Sequence, residues 1–269
     1  MHCATARRTT SWAEQILRAT RSLAVTVRLA APSAITFVAM YAGLTAIRYA
    51  IDGAFREAAI ALALAGLADR LDGAVARLLH ATSRFGAEFD SFADVVSFGV
   101  APALVMYLWA LRESGAWGFL PGVAYIACAA LRLTWFNLTA EAAAKPDYAR
   151  HFYTGLTSPA GAAVAVFPLL TALEADALRW PQLTELAHTQ TAAAVSLICS
   201  GLLMIAPFPL LDFVHVRISI AAKLIVLAAF LILLAAQPWL GLMVLTPFAL
   251  LMLAVSPAAL RRRRAAADA

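Results

Sequence analysis

The sequence predicts an all-α, polytopic transmembrane bundle of about eight spans, preceded by an amphipathic helix lying in the interface. Three observations carry that prediction. Hydrophobic residues make up 62% of the 269 residues, and charged residues only 14%. Mean hydropathy is +0.78. Apolar runs near the ~20 residues needed to cross a bilayer recur along the chain. A soluble domain carries about 25% charged residues. The deficit therefore excludes an ordinary water-soluble globule, and the apolar content excludes a disordered chain.

The elements follow in order. Residues 1–31 form a basic segment with Arg7, Arg8, Arg18, Arg21 and Arg28. Within it, Ser11 to Leu29 places Trp12, Ile16, Leu23 and Val27 on one helical side, which suits a membrane surface. Spans are then expected at 33–50, 56–79, 92–111, 117–137, 158–174, 191–208, 218–236 and 239–256. The second carries Asp69, Arg70, Asp72 and Arg77 in its C-terminal half, so it is expected to emerge into the interface there. The fifth is short and contains Pro168. Residues 32–208 are read as the core, 209–260 as two additional spans, and 261–269 as a basic tail, frayed after Arg264. Trp109, Trp117, Trp180 and Trp239 lie near span ends and read as interfacial anchors.

The net charge is +5, from 21 Lys and Arg against 16 Asp and Glu. Lys occurs only at Lys145 and Lys223. No long basic stretch with interleaved aromatics is present, so anionic lipid headgroups fit this charge and nucleic acid does not. An even number of spans puts both termini on one side. Placing them in the cytoplasm collects the N-terminal arginines, Arg70, Arg77, Arg84, Lys145, Arg150, Arg217 and Arg261 to Arg264 inside, as orientation by positive charge requires. Cys3, Cys128 and Cys199 are far apart and odd in number, so no disulfide framework or metal cluster is expected from them.

The chemistry concentrates between Ala68 and Ala103, where four aspartates stand in a chain poor in charge. Asp69 and Asp72 are three apart and share a helical face; Asp90 and Asp94 are four apart and share another. Two neighbouring helices can aim both pairs at one point, as helix bundles do when they build a metal site. Four carboxylates facing one another repel unless cations compensate. The all-oxygen donor set suits Mg²⁺ or Mn²⁺, and the lack of His and Cys argues against zinc. Gly73, Ala76 and Gly86 leave room for a ligand on the same faces, and Arg77 offers a cation suited to phosphate. Two metals, an arginine and space for a ligand point to phosphoryl transfer. Intramembrane acids also serve ion transport, which remains open on this ground alone.

The spacing Asp69-x2-Asp72-Gly73-x2-Ala76-Arg77-x8-Gly86-x3-Asp90-x3-Asp94 resembles the complete signature of the CDP-alcohol phosphatidyltransferase family. That resemblance implies a membrane enzyme with a six-helix core that displaces CMP from a CDP-linked lipid with an alcohol. It implies that Asp69, Asp72, Asp90 and Asp94 hold two metal ions and that Asp94 is the catalytic base. It implies further that Gly73, Ala76, Arg77, Ser83 and Gly86 meet the CDP-lipid. Upstream, Pro32, Ser33 and Thr36 resemble a segment that seats the nucleotide, with Ser33 where Asn is usual.

Three stretches resemble the phosphatidylserine synthase branch: Asp94 to Pro102, Leu131 to Asn137 and Phe152 to Ala160. Trp135 stands where that branch has a second Arg, and Thr157 where it has Pro. The implied reaction joins CDP-diacylglycerol and L-serine to give phosphatidylserine and CMP. Glycerol 3-phosphate, inositol phosphate or choline is the alternative acceptor. Ser97 and Arg132 are candidates for the acceptor site, with Arg150 a further cation for its carboxylate. The resemblance also implies a homodimer in a bacterial-type inner membrane, its active site facing the cytoplasm.

Overall fold

The computed structural model describes residues 12–79, 81, 83–142, 152–207, 209–211, 228, 232–233 and 236–267. Helix α1 (Trp12–Ile51) is followed by α2 (Phe55–Leu78) and α3 (Arg84–Asp94). A π turn (Val95–Val100), α4 (Ala101–Met106), a second π turn (Tyr107–Leu111) and a 3₁₀ turn (Arg112–Ser114) continue the path of α3. Then come α5 (Gly115–Ala142), α6 (Ser158–Ala165), α7 (Phe167–Ala177), α8 (Pro181–Ala187), α9 (Gln190–Ile205) and α10 (Pro238–Ala267). Strand β1 (Phe152–Thr154) pairs antiparallel with β2 (Pro209–Leu211), a short addition to the all-α expectation.

Small residues set the packing. Helices α1 and α2 pack against each other, and Ala46, Ala50, Ala58, Ala59, Ala61 and Ala65 on them are buried. Small side chains let helix backbones approach closely, the usual solution for helices in lipid. The turn between them uses Gly53 at φ 76°, where a Cβ would be strained. Outward-facing side chains such as Phe37, Tyr41, Leu64 and Leu67 are exposed and apolar, as a lipid-facing surface requires.

Among the described residues, two stretches are long and apolar enough to cross a membrane, Pro32–Ile51 and Arg84–Thr139, or up to four when each bent helix pair is taken as one span. The second stretch folds back on itself. Added Cβ atoms at Gly99 and Gly122 would touch Ala129 and Ala103 at 3.4 and 3.7 Å. Tyr107 packs edge-on against Phe119. These pairings converge on the 3₁₀ turn at Arg112–Ser114, so two antiparallel legs form a helical hairpin. Its second leg, α5, packs on α9, where the Cβ of an alanine at Gly201 would lie 3.2 Å from Cys128 Cβ.

Differences from the sequence reading have physical causes. Helix α1 runs unbroken from Trp12 through the expected boundary at residue 31, with Pro32 inside it. The expected fifth span is bent by 51° between α6 and α7; Pro168 in the first turn of α7 removes a donor and cannot continue the ladder. The stretch between the expected spans at 158–174 and 191–208 contains α8, opened by Pro181. The tail expected to fray after Arg264 stays helical to Ala267, in keeping with the helix preference of alanine. Trp239 is no interfacial anchor: it is 4% exposed, with the Arg56 guanidinium 5.4 Å from its ring centroid. Trp117 and Trp180 are exposed as expected. Most of the expected span at 218–236 lies outside the described residues. Cys128 and Cys199 are free thiols.

Candidate active site

The acidic pairs converge. Asp69 and Asp72 project from the C-terminal half of α2, and Asp90 from α3. Asp69, Asp72 and Asp90 each offer a carboxylate oxygen, and these atoms lie within 4.8 Å of one another. Asp94, one turn beyond Asp90, comes within side-chain hydrogen-bonding reach of Asp69. The two helices are joined by a short turn in which the Ala81 N–H bonds the Ala76 carbonyl. Ser83 caps α3 by accepting the Gly86 N–H at 3.0 Å. That cap fixes where α3 begins, and hence where Asp90 and Asp94 point.

The cluster is arranged to receive a cation. Asp72 is 4% exposed, and its Oδ2 is buried with no hydrogen-bond partner. An unpaired buried carboxylate oxygen is costly unless something cationic completes it. Three facing carboxylates from two helices supply the hard oxygen donors that divalent magnesium or manganese takes. The residues present therefore fit a divalent metal.

Other sequence-identified residues surround this centre. Thr36 on α1 is buried and within hydrogen-bonding reach of Asp72, while its hydroxyl donates to the Pro32 carbonyl at 3.1 Å. Pro32 is buried and Ser33 half-buried on the same stretch. Gly73 and Ala76 are half-buried beside the acids, and Arg77 is exposed. An added Cβ at Gly73 would stand 3.6 Å from Arg77 Nη1. Arg132, from α5, feels the charges of Asp94 and Asp69. Ser97 is 1% exposed and donates to the Ala39 carbonyl at 3.2 Å, which places it in the contact with α1. Arg150 lies outside the described residues.

Three neighbours were not singled out by spacing. Ser158, at the start of α6, accepts a hydrogen bond from Arg132 Nη1. Asn137 Nδ2 donates to Ser91 Oγ at 3.0 Å, tying α5 to α3 beside Asp90. Tyr125 is fully buried and bonds the π turn after Asp94. Ser158 and Asn137 lie within stretches whose resemblance was visible, yet nothing in a linear spacing shows which side chain faces which.

A cavity of about 530 Å³ lies elsewhere, at the hairpin turn, lined by Trp109, Arg112, Glu113, Glu185, His188 and Gln190 among others. It is separated from the acids by the length of the first hairpin leg. The chemistry of the carboxylates, not the size of that depression, identifies the site.

Residues 29–198 match the model of the CDP-alcohol phosphatidyltransferase family. The chain belongs to this family. The matched segment contains all four aspartates of the phosphatidyltransferase signature. The family is divalent-metal-dependent, and the acidic cluster is able to hold such an ion. With its apolar helices, the chain is an integral membrane protein.

Relatives share the same region. The chain is 38% identical over 173 residues to the CDP-diacylglycerol–serine O-phosphatidyltransferase of Mycobacterium bovis, covering 64% of this chain and 60% of that protein. It is 34% identical over 139 residues to the protein of the same name from Helicobacter pylori, covering 52% and 56%. It is 37% identical over 119 residues to the archaetidylserine synthase of Methanothermobacter thermautotrophicus, covering 42% and 49%. The chain thus spans about half to three fifths of the length of these relatives.

Proposed function

We propose that this protein transfers a phosphatidyl group from CDP-diacylglycerol to L-serine, giving phosphatidylserine and CMP. The observation that carries the reading is the convergence of Asp69, Asp72 and Asp90 oxygens within 4.8 Å, with Asp94 against Asp69. The printed names of the relatives support serine as the acceptor.

Asp69, Asp72, Asp90 and Asp94 are the residues that would hold two Mg²⁺ or Mn²⁺ ions. When bound, such ions supply charge neutralisation for a pyrophosphate and for a departing phosphate oxygen. Asp94 takes the proton of the serine hydroxyl as that oxygen bonds to the lipid-linked phosphorus. The bond from this phosphorus to the bridging oxygen breaks, and CMP leaves with the electron pair. Gly73, Ala76 and Gly86 leave space beside the acids, and Arg77 supplies a fixed cation for the CDP-lipid phosphates. Pro32, Ser33, Thr36 and Ser83 line the nucleotide side. Arg132 attracts the carboxylate of the free amino acid. A phosphorylated acceptor calls for more cations than the described residues bring to this point.

The deciding experiment is an acceptor panel on purified protein with CDP-diacylglycerol. CMP release is expected with L-serine. Release driven by glycerol 3-phosphate, inositol phosphate or choline instead would reject serine while keeping the family chemistry. The proposal includes about eight spans, both termini in the cytoplasm of a bacterial-type inner membrane, and a homodimer. A reporter fused after Asp268 is expected to read out on the cytoplasmic side.

A further inference from the structure

Among the described residues, one side-chain hydrogen bond holds Arg132. Its Nη1 donates to the Ser158 hydroxyl, and Ser158 is 1% exposed. Its Nε is buried and has no hydrogen-bond partner. Asp94 and Asp69 attract the guanidinium, yet neither carboxylate takes that Nε proton. A guanidinium can grip an oxyanion in a bidentate way through its Nη1–Nη2 end or through its Nε–Nη2 edge. Ser158 takes one of the two Nη1 protons and so holds that corner of the guanidinium. The edge bearing the orphaned Nε is the one left for a ligand.

Leaving a buried charged donor unpaired costs stability. Such a group beside the reaction centre marks the place of an oxyanion the chain itself does not provide. Two kinds of oxyanion enter the proposed reaction: the pyrophosphate of the CDP-lipid and the carboxylate of the amino acid. Arg132 comes from α5 and feels Asp94, the proposed base, ahead of Asp69, whereas Thr36 of the nucleotide-seating segment reaches Asp72. The acceptor's hydroxyl has to reach Asp94, which brings the carboxylate of the same small molecule to Arg132.

We infer that Ser158 is the positioning residue of the acceptor subsite: by fixing Nη1, it presents the Nε–Nη2 edge of Arg132 to the acceptor's carboxylate and so favours acceptors that carry one. The inference rests on the transfer reaction proposed above.

The test compares L-serine with L-serinamide, which keeps the hydroxyl and loses the carboxylate, using purified full-length protein and CDP-diacylglycerol. Ser158→Ala is expected to raise the KM for serine about tenfold, the scale of one charge-assisted hydrogen bond, while the KM for CDP-diacylglycerol changes less than about twofold. The preference for serine over serinamide is expected to fall by about the same factor of ten. Ser158→Thr, which keeps the hydroxyl, is expected to restore the preference. In an Arg132→Gln background, Ser158→Ala is expected to add nothing further.

An unchanged serine-to-serinamide ratio in Ser158→Ala would overturn the inference. So would equal losses with both acceptors, which mark simple packing, or a raised KM for CDP-diacylglycerol alone, which gives the edge to the lipid phosphate. If Ser158→Ala does not fold, Ser158→Cys carries the same comparison, since its sulfur is a weaker acceptor. Wild-type protein inactive with serine sinks the proposed function itself; active wild type with an unaltered ratio in the variants sinks only the role of Ser158.

Discussion

The Tyr125 hydroxyl donates a 2.6 Å hydrogen bond to the Phe98 carbonyl, inside the π turn that begins one residue after Asp94. A π turn breaks the regular i→i−4 ladder and often marks a functional position. Here Tyr125 reaches across from α5 and supplies the donor that the widened turn needs. The hairpin thereby fixes the direction in which α3 delivers Asp94.

Tyr125→Phe removes that donor and leaves a buried carbonyl unpaired, a loss of about 1–3 kcal/mol. Two consequences are expected: a lower unfolding temperature in detergent, and a fall in kcat with CDP-diacylglycerol and serine that exceeds any change in either KM. Thermal unfolding and steady-state CMP release on the same preparation check both. A variant with wild-type kcat would separate the π turn from the placement of Asp94.

Asp94→Asn keeps the size of the side chain and removes its capacity to accept a proton. Loss of a general base lowers the rate by about 10²–10⁴-fold. CMP release is expected to fall on that scale while the protein still folds and still binds the CDP-lipid. Retention of near-normal turnover would show that the hydroxyl proton goes elsewhere.

The orphaned Asp72 Oδ2 gives a prediction that does not depend on activity. Mg²⁺ or Mn²⁺ binding only to the folded protein stabilises it by about 2.7 kcal/mol at one hundred times the dissociation constant. Wild-type protein is therefore expected to unfold at higher temperature on titration with either ion, and chelator is expected to reverse the gain. Asp72→Asn should flatten the titration. An equal shift in the variant would place the ion away from this cluster.

The acidic centre was legible because helices impose a local rule: residues three or four apart share a face whatever the tertiary fold. Asp69 with Asp72, and Asp90 with Asp94, needed only a short turn to meet. Arg132 was reachable only as a charge in an apolar span. Its partner Ser158 is 26 residues away and on a different helix, so no periodicity could pair them. The π turns were invisible for a related reason: Val95–Val100 reads as ordinary helix, and its register is set by Tyr125 and Ala39 from other elements. Continuous hydropathy located the apolar legs, but it could not show that Trp12–Ile51 is one helix through Pro32.

Two glycines one helix apart test how tightly the centre is braced. At Gly43 an added Cβ would stand 2.8 Å from the Ser97 Cα, a backbone atom that cannot move aside. Ser97 also bonds the Ala39 carbonyl, one turn before Gly43. Gly43→Ala must therefore push α1 away from the π turn, and overpacking of this kind costs about 1–3 kcal/mol. Because Ser97 lies three residues after Asp94, turnover is expected to fall along with stability. At Gly66 on α2 the added Cβ would meet only Phe98 Cε1, at 3.9 Å, an ordinary contact. Gly66→Ala is expected to be neutral or to stabilise by up to about 1 kcal/mol through helix preference, with turnover preserved. Thermal unfolding and CMP release measured on both variants check the contrast. Equal effects at the two positions would mean that α1 does not press against the turn that carries Ser97.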